Sequence, residues 1–154
     1  VSDTTAPVDA ADRYSQADWV YKSSNFTRMM GLEVDAFERG LCRTRLPVTE
    51  AILNQGGVVH GGVYGVIADH TVGMAASTTI GEGLRVVTID YSVNILRPGD
   101  CAVLLTEGTV VKEGKRIIYG EATVEGAMED GSRELLCRAM LTFAVIPKRP
   151  PAAP

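Results

Sequence analysis

The sequence predicts an α+β domain in which one long antiparallel sheet wraps around a central helix. Two observations carry that expectation. Residues 61–77 are apolar nearly all round, yet glycine and alanine recur through them, the pattern of a thin and buried helix. From residue 84 onward the chain reads as β to its last strand, interrupted only by turn signals. Strands of that length need something apolar against one face.

The elements follow in order. Residues 1–12, VSDTTAPVDAAD, are small, polar and aperiodic and read as a mobile tail. From Arg13 to Met30 the spacing predicts one helix, with Tyr14, Ala17, Tyr21, Phe26, Met29 and Met30 recurring at helical steps and Gly31 as its stop. LEVDAFERGLCRTRLPV alternates like a strand with a break at Gly40, and Pro47 closes it. The central helix comes next. Val63, Val66, Ile67, Val72 and Met74 make it apolar, while Gly65, Ala68, Gly73, Ala75 and Ala76 keep it thin enough for close approach. LRVVTIDYSVNILRPGD is a strand that ends in a Pro-Gly turn, and three further strands are joined by KEGK and by EDGS, the latter with an Asp-Gly hairpin signature. RPPAAP is a proline-rich tail. One domain over 13–147, with tails at 1–12 and 148–154, is the expected organisation; no internal repeat is evident.

Composition narrows the function. The formal net charge of −4 argues against nucleic acid as the main partner, because phosphate binding needs a basic face. The longest apolar run is interrupted by Asp69 and His70, so no membrane span is expected. Cys42, Cys101 and Cys137 lack any CxxC pattern and read as inert thiols in a reducing cytoplasm. Two histidines and scattered cysteines offer no metal-ligand spacing, and no cofactor is expected. Neither a Ser-His-Asp nor a Cys-His nucleophile arrangement is visible.

The chemistry concentrates in NQGGVVHGGVYGVIADHTVGMAAS, residues 54–77, where six glycines and two histidines surround a single carboxylate. Backbone N–H groups at a helix start have no intrahelical partner, and the dipole there is positive. Gly61 and Gly62 lack side chains that would block a ligand, so this helix end can stabilise an oxyanion, the need of acyl transfer. A carboxylate on an apolar helix is costly unless it is hydrogen-bonded or functional, which singles out Asp69. Gly61 and Asp69 are separated by eight residues, about 12 Å along one helix. One reacting carbonyl cannot reach both. A twofold dimer with antiparallel central helices brings Asp69 of one chain to Gly61 of the other. His70 points about 100° away from Asp69 and reads as a packing or subunit-contact residue.

The arrangement NQGGVVHGG, then ADHTVG, then VVTIDYSVNILRPG resembles the hotdog-fold acyl-CoA thioesterases of the phenylacetic-acid-degradation type, relatives of the 4-hydroxybenzoyl-CoA thioesterases, over roughly 31–146. The resemblance implies that Asp69 is the catalytic carboxylate, acting as general base or as nucleophile. It implies that the Gly61 N–H polarises the thioester carbonyl, that Asn54 orients carbonyl or water, that His60 sits beside the oxyanion hole, and that Thr88 helps place the water. The carboxylate and the glycine then come from different subunits of a homodimer, with a homotetramer expected. Coenzyme A enters only as part of the substrate. Lys112, Gly114, Lys115 and Arg116 on one turn, with Arg97, are the residues expected to hold its nucleotide end. Gly62 and Tyr64, with Val63 and Met74, are expected near an apolar acyl pocket. Two other readings remain open from the residues: a hotdog hydratase or dehydratase, and a non-catalytic acyl-CoA-binding protein.

Overall fold

The computed structural model describes residues 10–148. Two helices come first, α1 (Ala10–Ser23) and α2 (Asn25–Met29), followed by strands β1 (Glu33–Glu38) and β2 (Leu41–Pro47) and a single helical turn at Glu50–Ile52. The central helix α3 (Gly61–Ser77) precedes β3 (Leu84–Ile95), β4 (Val103–Lys112), β5 (Ile117–Ala127) and β6 (Arg133–Pro147). All six strands form one antiparallel sheet in the order β1-β2-β4-β5-β6-β3.

Three local expectations need correction. The helix expected over 13–30 is two helices, because Ser24 leaves the helical region (φ −80°, ψ 96°) and starts α2 afresh. The strand with a break at Gly40 is a hairpin: Gly40 takes φ +75° at the turn, and Glu38 pairs with Leu41. Helix α1 starts at Ala10, three residues inside the expected tail. The rest of that tail, 1–9, and all of 149–154 lie outside the described residues.

The sheet curls because α3 presses into it, and glycine makes room. A Cβ on Gly108 would stand 2.9 Å from the Val72 backbone nitrogen, and one on Gly120 would meet the Val72 side chain. Two neighbouring strands thereby let the helix backbone sink into the concave face. Tyr64, Ile67, Ala68, Val72, Met74 and Ala76 are buried at the contact, against Leu46, Leu104, Ile118, Val124, Leu141 and Phe143 from the sheet. Each large side chain so buried is worth about 1.5–3 kcal/mol. Polar ties fix the register of helix on sheet: Thr71 Oγ1 meets Thr44 Oγ1 at 2.8 Å in the interior, and Thr78 Oγ1 accepts the Gly40 N–H at 2.7 Å. No helix among the described residues is long and apolar enough to cross a membrane.

The second edge of the sheet is β3, and it is unusual for an edge. Val87, Ile89, Tyr91 and Ile95 are exposed along it, with a bulge between Thr88 and Asp90. An edge strand this long and apolar is a template for another strand.

Candidate active site

The strongest constellation is built from α3 and β3. Asp69 projects from the middle of α3, and the Thr88 hydroxyl donates to its Oδ1 at 2.6 Å. Burial pushes the Asp69 carboxyl above its ordinary range, and the Thr88 hydrogen bond pulls partly the other way. The pair stands at the edge of a cavity of about 710 Å³ between α1, α3 and β3, walled by Trp19, Val20, Gly73, Val86 and Phe143. A smaller cleft reaches the same carboxylate from the open edge of β3, past Ile89, Asp90 and Tyr91. The carboxylate is therefore half-buried, fixed on one oxygen and approachable on the other.

The first turn of α3 carries the second constellation. His60 is the N-cap, and its Nδ1 accepts the Gly62 N–H at 3.0 Å. Its own N–H is held by the Ile52 carbonyl at 2.9 Å. With Gly62 taken by the cap, the Gly61 N–H is left without an acceptor among the described residues. It points out of the helix at its positive end. A Cβ on Gly61 would lie 3.2 Å from the Ile95 methyl group, a tight contact that the exposed Ile95 side chain must yield to accommodate. Asn54 ties the preceding loop: Oδ1 accepts the Gly56 N–H at 2.8 Å, and its backbone N–H reaches the Val58 carbonyl at 2.8 Å. That leaves the Asn54 amide NH₂ as the group available to a ligand. A cavity of about 540 Å³ opens here, between Phe26, Met29, Leu53, His60, Gly62 and Val63.

Within one chain these two constellations do not meet. Asp69 and Thr88 line one cavity, while His60 and Gly62 line the other. The remaining expected residues scatter. Tyr64 is 1% exposed and lies in the core with its hydroxyl under Gly99, where it lines neither cavity; its phenol is pushed up to about 12 by burial. Met74 is likewise buried, beside Cys42 and Ala75, and of the expected apolar lining Val63 alone faces a cavity. Arg97 braces the end of β3, with Nε 2.8 Å from Glu134 Oε1 and Nη1 donating to the Leu135 carbonyl. Lys112, Lys115 and Arg116 stand exposed about the β4–β5 turn. Gly114 there is required, because a Cβ would lie 2.3 Å from the Ile117 carbonyl oxygen.

His70 lines the same cavity as Asp69 and Thr88, but its hydrogen-bonding contact is with α2, where Nε2 meets Thr27 Oγ1 at 3.3 Å. Burial lowers its pKa to about 4, so the ring is neutral. Cys42 and Cys137 are buried on strands, raised to about 12 and 11, whereas Cys101 lies in the loop before β4; all three are free. Sequence reasoning missed Trp19, Gly73, Val86 and Phe143. Of these only Gly73 carried a signal, since it lies four residues after Asp69 and so on the same helix face.

Comparison with known proteins agrees with this architecture. Residues 56–128 match the family model of the thioesterase superfamily. A 1,4-dihydroxy-2-naphthoyl-CoA hydrolase from Listeria monocytogenes is 28% identical over 120 residues, 78% of this chain and 94% of that protein. The crystal structure of a Haemophilus influenzae thioesterase superposes with a TM-score of 0.77 at 26% identity, covering 90% of this chain and 94% of the other. A thioesterase family protein from Silicibacter pomeroyi shares the fold more closely, with a TM-score of 0.86 at 21% identity over 88% of this chain and 99% of its own. The chain has the hotdog fold of these proteins and resembles the thioesterases in sequence over residues 56–128, a likeness that supports an enzyme hydrolysing thioesters.

Proposed function

We propose that the chain hydrolyses acyl-CoA thioesters at two equivalent sites of a homodimer, each built from Asp69 and Thr88 of one chain and from Gly61, His60 and Asn54 of its partner. The observation that carries this reading is the Asp69–Thr88 pair, a carboxylate held at 2.6 Å on one oxygen and open on the other. In this reading Oδ2 takes a proton from the attacking water, or attacks the carbonyl itself; either route uses the same orientation. A carboxyl raised by burial is a better base near neutral pH than an ordinary one. The partner's Gly61 N–H receives the charge that develops on the carbonyl oxygen, and the Asn54 amide directs it. Coenzyme A departs as a thiolate, which is weakly basic enough to need little protonation. No cofactor takes part.

Two features support the shared site. Asp69 and Gly61 are too far apart along one helix to serve one carbonyl. The open cleft beside Asp69 lies on the apolar edge of β3, where an antiparallel second copy would pair. Pairing of dimers into a homotetramer and a nucleotide site at Lys112, Gly114, Lys115 and Arg116 belong to the same proposal; Arg97 stands at the opposite end of the sheet from that turn and joins it only from another subunit. So does a cytoplasmic setting, which suits three unbridged thiols.

The test is release of CoA thiol from phenylacetyl-, hydroxybenzoyl-, short- and medium-chain acyl-CoAs, comparing wild type with Asp69→Asn. Turnover that falls at least about a hundredfold in the variant is expected. Unaltered turnover in Asp69→Asn would remove the acid from the mechanism.

A further inference from the structure

The four glycines of α3 do not have equal reasons to be glycine. A Cβ on Gly61, Gly62 or Gly65 would meet a neighbour at 3.2–3.4 Å: Ile95, the His60 ring or the Tyr91 ring. A Cβ on Gly73 would meet only Phe143 Cε1, at 3.6 Å, an ordinary contact. Packing within the chain does not require glycine at 73, and a helix interior disfavours it relative to alanine. Yet Gly73 sits between Asp69 and Ser77 on one helix face, and all three line the large cavity. The missing side chain keeps that cavity open midway along its length.

The rest of the cavity is shaped to match. It runs along α3 from Asp69 to Ser77, about 12 Å by helix rise. Val86 and Thr88 form the β3 wall, Phe143 lies behind Gly73, and Glu82, Arg85 and Lys148 add charged groups to the lining. Trp19 of α1 covers the outer side, and it is 65% exposed although it is the sole tryptophan of the chain. Helix α1 is held over this slot by Gln16, whose Nε2 donates to the Leu84 carbonyl at 2.8 Å.

We propose that this slot receives the acyl group of the thioester, that Gly73 is the residue setting the acyl size accepted, and that Trp19 closes over the bound group. The proposal rests on the acyl-CoA reading above. With the carbonyl at Asp69, the acyl chain extends toward Ser77, so a medium-length or phenyl-bearing acyl group fills the slot and an acetyl group leaves it mostly empty. A side chain at 73 cuts the slot in half.

The experiment measures kcat/KM for acetyl-, butyryl-, hexanoyl-, octanoyl- and phenylacetyl-CoA with wild type, Gly73→Ala and Gly73→Val, with melting curves on each. Alanine makes only an ordinary contact, so that variant folds even where valine does not. The wild type is expected to favour the longer and phenyl-bearing substrates. The octanoyl-to-butyryl ratio is expected to fall at least tenfold in Gly73→Val and in the same direction, by less, in Gly73→Ala. In Asp69→Asn, octanoyl-CoA is expected to change Trp19 fluorescence and acetyl-CoA to leave it nearly unaltered. An active wild type whose acyl profile is the same in both Gly73 variants overturns the slot and leaves the functional reading standing. A wild type inert toward every thioester overturns both.

Discussion

At the scale of single residues, the site depends on which backbone N–H groups are already spent. His60 Nδ1 occupies the Gly62 N–H, so the cap removes one donor and leaves its neighbour at Gly61 free. A substitution can isolate that donor. Gly61 is the first residue of α3, the one helical position where proline is favoured and an N–H is not needed for the helix. His60 already has φ −62° and ψ 133°, the extended conformation that a following proline requires. Gly61→Pro is therefore expected to leave the melting temperature near that of Gly61→Ala while deleting the proposed oxyanion donor. Both variants place an atom against the Ile95 methyl at 3.2 Å, so alanine controls for crowding. Loss of kcat by about 10²–10³ in the proline variant alone is the expected result. Equal activity in the two would assign the oxyanion to another donor.

At the scale of elements, α3 joins catalysis to packing, and His70 shows how tightly. Its ring is half-buried beside the large cavity and meets Thr27 of α2, which also donates to Ser24 Oγ at 2.8 Å, where α1 gives way to α2. Burial lowers its pKa from 6.5 to about 4. Between those values the unfolded chain binds a proton that the folded one refuses, so stability falls as pH drops through this window. Asp69 works in the opposite sense. Its pKa is raised above 3.8, so in its own window the folded chain holds the extra proton and acidification favours the fold. Replacing His70 with Gln keeps a donor for Thr27 and leaves Asp69 and the other carboxylates in place. The wild type is expected to lose up to about 3 kcal/mol more than His70→Gln between pH 7 and pH 4, read as melting temperature across that range. Parallel curves would show that His70 is protonated in the folded state. The same elements show what the sequence could reveal. Helix α3, the four strands after it and the turns between them were legible because periodicity and glycine placement are local. Of the expected site residues the structure joins Asp69 with Thr88 and His60 with the start of α3, pairings that a short stretch of sequence places on adjacent elements. The hairpin at Gly40 and the break at Ser24 were blurred, since each interrupts a continuing apolar pattern at a single residue. The cavity was not legible at all: Trp19, Gly73 and Phe143 meet only because α1 folds back onto β3, a contact made by Gln16 and Leu84 across 68 residues. Tyr64 fails for the same reason, since a helix apolar on every side does not announce which apolar residues face the sheet.

At the scale of the whole molecule, one chain carries both proposed halves of the chemistry in different places. Asp69 opens into one cavity of the protomer while His60 and Gly62, which flank Gly61, open into another, and the long apolar edge of β3 runs beside the acid. If the two halves combine across a twofold axis, defects in different halves must complement. An Asp69→Asn chain supplies an intact Gly61, and a Gly61→Pro chain supplies an intact Asp69. Their mixed dimer then has one site with both defects and one with neither. Random pairing of equal amounts makes half of the dimers mixed, so co-expression is expected to restore about one quarter of wild-type activity from two nearly inactive parents. A site contained within one chain cannot recover, because every protomer then carries a broken site. Adding a charge at the β3 edge, Ile89→Lys, supplies the structural control: it is expected to shift the protein toward monomer in sedimentation and to abolish the recovered activity together with the dimer. Recovery that persists in monomeric fractions would return the whole reaction to a single chain.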